Sequence, residues 1–348
     1  MTGALRAILF LLVLVLAPVG PVAAMDLRHE LAKFSDLPRW PDDDHAAALS
    51  VFLETCPDMT GMDWQALCAL AQTSPEPRTF FELFFRPVLI TDGKPALFTG
   101  YFEPELSGAL RPDARYRHPV YGMPPEAERV SVWLSRREIL TGDAMVGRGL
   151  EIAWVDDPVE LFFLQIQGSG RIRLPDGRVI RVGYAGSNGH PYRSIGVELV
   201  RRGIYKTHQV SAQVLKNWVR RNPVEGRELL FHNPSYVFFR RIDNVPPERG
   251  PLGAMNRSVT PGRTVAVDPA HVPLGAPVWI EKEGHGPIHR LMVAQDTGSA
   301  IKGPQRADIF FGTGDQAGRR AGRLRDPGRM LVLMPIQRAY AMLSDPFE

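Results

Sequence analysis

Between residues 45 and 54 the apolar residues Ala48, Leu49, Phe52 and Leu53 recur at helical spacing. Asp42, Asp43 and Asp44 precede them and suit a helix N-terminus and its dipole. Segments 64–72 and 79–85 predict further helices. Past Gly93 the texture changes to short apolar runs broken by Gly, Pro and Asp. Segments 171–174 and 178–182 alternate polar and apolar residues around Pro175-Asp176-Gly177, which predicts a hairpin. A helix is expected over 194–205. Polar, proline-marked text at 244–263 then precedes five expected strands at 264–267, 277–281, 291–295, 308–311 and 330–334, with one short helix at 315–321. Five strands in about seventy residues with a single short helix do not fit alternating βαβ units, so a small closed barrel is expected.

Composition agrees with that texture. Gly 32 and Pro 31 among 348 residues are spread along the chain, punctuating short strands and turns. Length alone suggests about two domains. Residues 1–24 carry Arg6, an apolar run from Ala7 to Ala17 and the small-residue end Pro21-Val22-Ala23-Ala24, which reads as a secretory signal peptide. The run is shorter than the ~20 residues of a membrane-spanning helix, and Pro18, Gly20 and Pro21 break its continuation. The expected product is a soluble, exported protein of the periplasm. Losing Arg6 takes the formal net charge from +3 to +2. That balance argues against a nucleic-acid partner; the one basic cluster, Arg319, Arg320, Arg323 and Arg325, is broken by Gly, Ala and Asp and reads as a solvated face. Cys56 and Cys68, the whole cysteine inventory, are expected to pair in an oxidising compartment. Neither metal nor organic cofactor is expected.

Three aspartates stand at the ends of the C-terminal strands: Asp268 before Pro269, Asp296 in Asp296-Thr-Gly, and Asp308 between Ala307 and Ile309-Phe-Phe. Each has an ordinary role as a turn cap. That role is strong for Asp268, since Asp-Pro starts turns. It is weaker for Asp308, whose apolar neighbours would desolvate the carboxyl, raise its pKa and keep it protonated, as a general acid requires. Asp-Thr-Gly is also the signature of aspartic proteases, but those need two such aspartates sharing a proton; with one, only a homodimeric protease using Asp296 survives. Gly312-Thr-Gly-Asp-Gln-Ala317 imitates a dinucleotide fingerprint, yet the chain ends too soon for the second strand and its acid. No nucleotide is expected.

The middle region mixes aromatic rings and amides beside glycines, a chemistry suited to sugars. Tyr101, Phe102 and Glu103 follow Thr99-Gly100; Gln165 and Gln167, read as one face of a strand, precede Gly168, Ser169 and Gly170. Tyr184, Asn188 and Tyr192 add to them.

Together these segments resemble the membrane-bound lytic murein transglycosylase A family. The resemblance runs from Phe98 to Pro335 with gaps. Its carriers are Phe98-Thr-Gly-Tyr-Phe-Glu-Pro-Glu-Leu, Phe162-Phe-Leu-Gln-Ile-Gln-Gly-Ser-Gly-Arg, Gly183-Tyr-Ala-Gly-Ser-Asn-Gly-His-Pro-Tyr, Asn233-Pro-Ser-Tyr-Val-Phe-Phe and Gln295-Asp-Thr-Gly-Ser-Ala-Ile-Lys-Gly. It implies a double-psi β-barrel over 25–103 and 242–348, with N-terminal helices and a three-aspartate segment at about 258–336. A second β-rich domain is inserted at 104–241, and a glycan groove lies between the two. It puts the catalytic acid on Asp308, a supporting acid on Asp296 and a further motif acid on Asp268. Apart from the resemblance, Lys302 is expected either to orient substrate or to offset part of the effect of Asp296 on Asp308. The implied activity is cleavage of peptidoglycan strands to 1,6-anhydro ends; a barrel that binds wall polymer without cutting is the alternative. The expected partner is the glycan strand and the expected state a monomer, with proteins of wall synthesis or the outer membrane left open. Phe102 stands where a second Tyr is frequent in the family, and there is no lipobox cysteine for membrane attachment.

Overall fold

The computed structural model describes residues 27–284 and 286–343; the expected signal peptide lies outside them. In chain order come β1 (Arg28–Leu31), α1 (His45–Thr55), α2 (Met62–Ala71), α3 (Pro77–Phe84), β2 (Phe85–Thr91) and β3 (Ala96–Glu103). The middle holds β4 (Glu105–Ala109), β5 (His118–Tyr121), α4 (Pro125–Glu128), α5 (Arg136–Thr141), β6 (Glu151–Val155), α6 (Pro158–Gln167), β7 (Ser169–Arg173), β8 (Val179–Ser187), α7 (Ile195–Arg201), α8 (Ala212–Arg221), α9 (Pro223–His232) and β9 (Val237–Ile242). Last come β10 (Thr264–Val267), β11 (Pro277–Lys282), β12 (Ile288–Thr297), β13 (Arg306–Thr313), α10 (Gly314–Ala321), β14 (Arg325–Pro335) and α11 (Ile336–Ala341).

Strands β14, β11, β12, β10, β13 and β3 pair in that order, and β3 closes back onto β14. The result is a closed six-stranded barrel of the expected double-psi class. Its β3–β13 and β10–β12 pairs are parallel and the rest antiparallel. Closure removes the open edges that would invite foreign strands. The second sheet, β5-β6-β4-β7-β8-β9, belongs wholly to the middle segment. That segment carries more helix than its glycine-rich text suggests, because α8 and α9 bury narrow apolar stripes, Leu215 and Val219 on one and Leu229 on the other.

The N-terminal helices cap one side of the barrel through aromatic packing. Asp44 caps α1 by accepting from Ala47 N. Phe52 of α1 is fully buried and touches the rings of Trp64, Phe80, Phe81 and Phe85. Burying such a ring stabilises the fold by about 2 to 3 kcal/mol. Trp40 lies 5.1 Å from Trp279 of β11, so this layer shares one core with the barrel. A disulfide joins Cys56, just past α1, to Cys68 on α2.

One expectation fails here. Gln165 and Gln167 sit on helix α6, not on a strand. Asp157 accepts from Val159 N and Glu160 N as its N-cap, Pro158 occupies the first turn, and Gly168 ends it in the left-handed region at φ 77. Positions two apart on a helix point to different sides, and Gln165 is buried while Gln167 is half-buried.

Only Pro104 separates β3 of the barrel from β4 of the second sheet. At that crossing Glu103 is fully buried and bonded from both sides. Arg171 Nε of β7 donates to its Oε2 at 2.8 Å, as does Thr313 Oγ1 of β13 at 2.8 Å. Arg181 Nε of β8 lies 2.8 Å from Oε1, too poorly aligned for a hydrogen bond, and its Nη2 reaches Oε2 at 3.4 Å. Both arginines also donate to Arg249 O, which ties in the returning segment.

Candidate active site

A cleft of about 230 Å³ lies between the two bodies. The barrel contributes Tyr101, Ala266, Asp296, Arg306 and Asp308 to its wall; the middle segment contributes Arg136, Gln165, Gln167 and Tyr192. The two acids are placed by register. Ala266 of β10 stands opposite Asp308 on antiparallel β13 and opposite Asp296 on parallel β12. Directly opposed residues share a sheet face, so both carboxyls point into the cleft, two strand spacings or about 10 Å apart at Cα.

The pairing with β12 depends on a bulge. Val265 opposes Ala294 but Ala266 opposes Asp296, so Gln295 is skipped. Without that extra residue Asp296 would be turned to the other face. Gln295 itself is fully buried, and its amide oxygen accepts from Thr264 Oγ1.

Strand β3 supplies partners for both acids. Thr99, in register with Asp308, donates to Asp308 Oδ1 at 2.6 Å, and Arg306 Nη2 donates to the same Thr99 hydroxyl at 2.7 Å. Tyr101 OH donates to Asp296 Oδ2 at 2.8 Å, while Ala254 N and Thr297 N donate to Oδ1. Between these two residues Gly100 faces away from the cleft. A Cβ there would meet Ala321 Cα and the Phe311 ring at 2.8 Å, so glycine lets α10 lie against the strand that holds both acids.

Burial pushes the Asp308 carboxyl up to about 6; the Thr99 hydrogen bond and the Arg306 charge pull it down, and the Asp296 charge pushes it further up. Burial also raises Asp296, against the donors Thr297 N, Tyr101 OH and Ala254 N. Burial and the Asp296 charge hold the Tyr101 phenol well above its usual value, so it remains a neutral donor. A carboxyl near 6 has an appreciable protonated fraction at neutral pH, the property a general acid needs.

Other expected site residues fall elsewhere. Asn188 is 1% exposed and fully occupied: Nδ2 donates to Leu134 O and Pro234 O, and Oδ1 accepts from Tyr236 N. It braces loops and has nothing left for a sugar. Glu103 is likewise a buried ion-pair centre. Phe102 keeps its ring over Gly318 and offers only its amide, which donates to Gln167 Oε1 at 3.0 Å. Gly168, Ser169, Gly170 and exposed Tyr184 lie outside the cleft wall. Asp268 accepts from Ala270 N and Gly303 N, with Lys302 Nζ at 3.7 Å. Burial works to raise its pKa, but those amides and Lys302 outweigh it and lower it. It shapes the 298–303 loop, part of which lines the cleft. Arg306 and Thr99 escaped the sequence reading as site residues, although Arg306, two positions before Asp308 on a strand, shares its face.

Residues 97–240 match the family described as the MltA specific insert domain, and residues 263–334 match the 3D domain. A membrane-bound lytic murein transglycosylase A of Vibrio cholerae is 33% identical over 261 residues, 71% of this chain and 68% of that protein. One of Escherichia coli K12 is 37% identical over 247 residues, 68% of this chain and 65% of that protein. The chain thus spans about two thirds of the length of the curated relatives it matches. A membrane-bound lytic murein transglycosylase from Agrobacterium tumefaciens superposes with a TM-score of 0.79 at 32% identity, covering 90% of this chain and 99% of that one. MltA from Neisseria gonorrhoeae gives 0.76 at 33%, covering 88% and 92%. E. coli MltA with bound chitohexaose gives 0.70 at 30%, covering 86% and 90%.

Proposed function

The chain belongs to the membrane-bound lytic murein transglycosylase A family, and we propose that it cuts peptidoglycan glycan strands with Asp308 as its single acid and base. The observation that carries this reading is a carboxyl near 6 in an open cleft, with a second carboxyl held across Ala266. A relative's structure with bound chitohexaose supports a glycan as occupant.

Ordinary glycosidases use two carboxyls, one as acid and one as nucleophile or water-activating base. Here the protonated Asp308 gives its proton to the glycosidic oxygen between MurNAc and GlcNAc, and the bond from that oxygen to MurNAc C1 breaks. Positive charge gathers at C1 and its ring oxygen. The Asp308 carboxylate then takes the proton of the same sugar's C6 hydroxyl, and O6 bonds to C1. The product is a 1,6-anhydro ring, no water is consumed, and Asp308 ends protonated as it began. Such a reaction is that of a glycan lyase. Asp296, kept in place by Tyr101 and two amides, supplies negative charge toward the cation and toward Asp308. No cofactor enters these steps.

Among the described residues no helix is long and apolar enough to cross a membrane. A wall substrate puts the working protein in the periplasm, in keeping with the segment read as a signal peptide. Digestion of purified peptidoglycan followed by mass spectrometry tests the reading. Anhydro ends, one water lighter than hydrolytic ends, are expected; hydrolytic ends alone would overturn it.

A further inference from the structure

A cavity much larger than the cleft lies away from the acids. About 1170 Å³ lies within the middle segment, walled by β5, α5, α6, α8 and α9, and it shares Arg136 and Gln165 with the cleft. We infer that this cavity receives a carboxylate-bearing peptide that hangs from a muramyl sugar of the strand in the cleft, with Arg136 as its anchor. The inference rests on the proposed glycan substrate and adds a second recognition site to it.

Three observations carry it. Arg136 is 3% exposed and has no carboxylate within ion-pair distance among the described residues; its nitrogens donate to Asn233 O and Ser235 O. Burial lowers its pKa only to about 10, so the charge stays. Its guanidinium also lies over the rings of Phe162 and Tyr236, but none of these partners neutralises the charge, and a buried cation without an anion is costly to keep. Beside it, the Gln165 amide oxygen and the Tyr236 hydroxyl are buried without a well-aligned hydrogen-bond partner, and the weak mutual interaction between them leaves both short of full bonding. Both line the cavity. Buried polar atoms are nearly always satisfied, so a pair left short of full bonding beside a cavity favours a small side-chain shift toward an entering polar group.

Charge gives the sign. The acids of the wall, Asp156, Asp157 and Glu160, are each held by Arg115 or Arg220. Arg117 and Arg227 are exposed on the same wall and have no carboxylate ion pair among the described residues. The surplus is cationic. Size points the same way, since the volume exceeds that of pockets for ordinary small ligands and suits several peptide residues.

Calorimetry with the full chain tests this with a synthetic muramyl tetrapeptide and the same compound with its carboxyls amidated. The free acid should bind and the amide should bind at least about tenfold more weakly, the scale of one charge-assisted contact. Arg136→Gln should erase that difference. If it fails to fold, the exposed double variant Arg117→Ala with Arg227→Ala carries the test and should narrow the difference several-fold. Equal binding of both compounds, no binding of either, or the full difference kept in the folded variants overturns the inference. None of these readings depends on catalysis, which is judged separately by anhydro products from peptide-free strands.

Discussion

Asp296 faces the same cleft as Asp308 because one residue, Gln295, is bulged out of β12 and both acids then oppose Ala266. The arrangement keeps two carboxyls apart yet within each other's field. It also makes their titrations interdependent, which gives the acid assignment its sharpest tests.

The rate on peptidoglycan should follow the protonated form of Asp308. With its carboxyl near 6 in the free protein, kcat/KM should be level at lower pH and fall about tenfold per unit above that value. A profile level through pH 8 would remove Asp308 from the acid role.

Asp308→Asn should abolish anhydro products while making the fold more stable at pH 7.5. The sign follows from linkage: a carboxyl raised from 3.8 to about 6 costs the folded state about 3 kcal/mol above the folded value and nothing below the unfolded one. The gain should therefore be present at pH 7.5 and vanish near pH 3.5. Urea unfolding of both proteins at the two pH values measures it.

Asp296→Asn should keep the product chemistry but move the alkaline limb of the rate profile downward, since the Asp296 charge pushes Asp308 up. Tyr101→Phe removes a donor to Asp296 and should slow the reaction about tenfold, the worth of one hydrogen bond to a charged group. Complete loss of products in Asp296→Asn with retention in Asp308→Asn would exchange the two roles.

Thr99→Val should move the alkaline limb the other way. The lost hydrogen bond favoured the Asp308 carboxylate, so its pKa rises and the rate at pH 8, relative to the maximum, increases. An unchanged limb would show that the 2.6 Å contact does not govern the acid.

Glu103→Gln should destabilise the fold by about 3 to 5 kcal/mol, because two arginines lose the one buried carboxylate between them. Equilibrium unfolding in urea checks this, and a change below about 1 kcal/mol would mean the cluster is dispensable.

The barrel strands were legible because each is a short apolar run between turn residues; the expected 264–267 and 277–281 fall on β10 and β11 within one residue. The burial and raised pKa of the Asp308 carboxyl were legible from its apolar neighbours, while its choice over Asp296 as the acid rests on the family resemblance. Thr99 and Tyr101 were visible only as part of a motif, since their partners lie 209 and 195 positions away and only closure of the barrel brings them together. The bulge at Gln295 is equally silent, for nothing local distinguishes a skipped residue from a paired one. At Gln165 and Gln167 the apolar alternation imitated a strand, while the decisive signals, Asp157-Pro158 and Gly168, lay at the ends of the run. Asn188 looked like a sugar ligand because amides serve loops and sugars with the same groups.

The passage from β3 to β4 through Pro104 alone, locked at Glu103, ties the two sheets together with one residue between them. A crossing with one spare residue behaves as a beam, and it fixes the spacing between the two walls it joins. The breadth of the opening is thus set where the walls meet, at a proline and a buried ion-pair cluster, and not by a linker that could lengthen or fold.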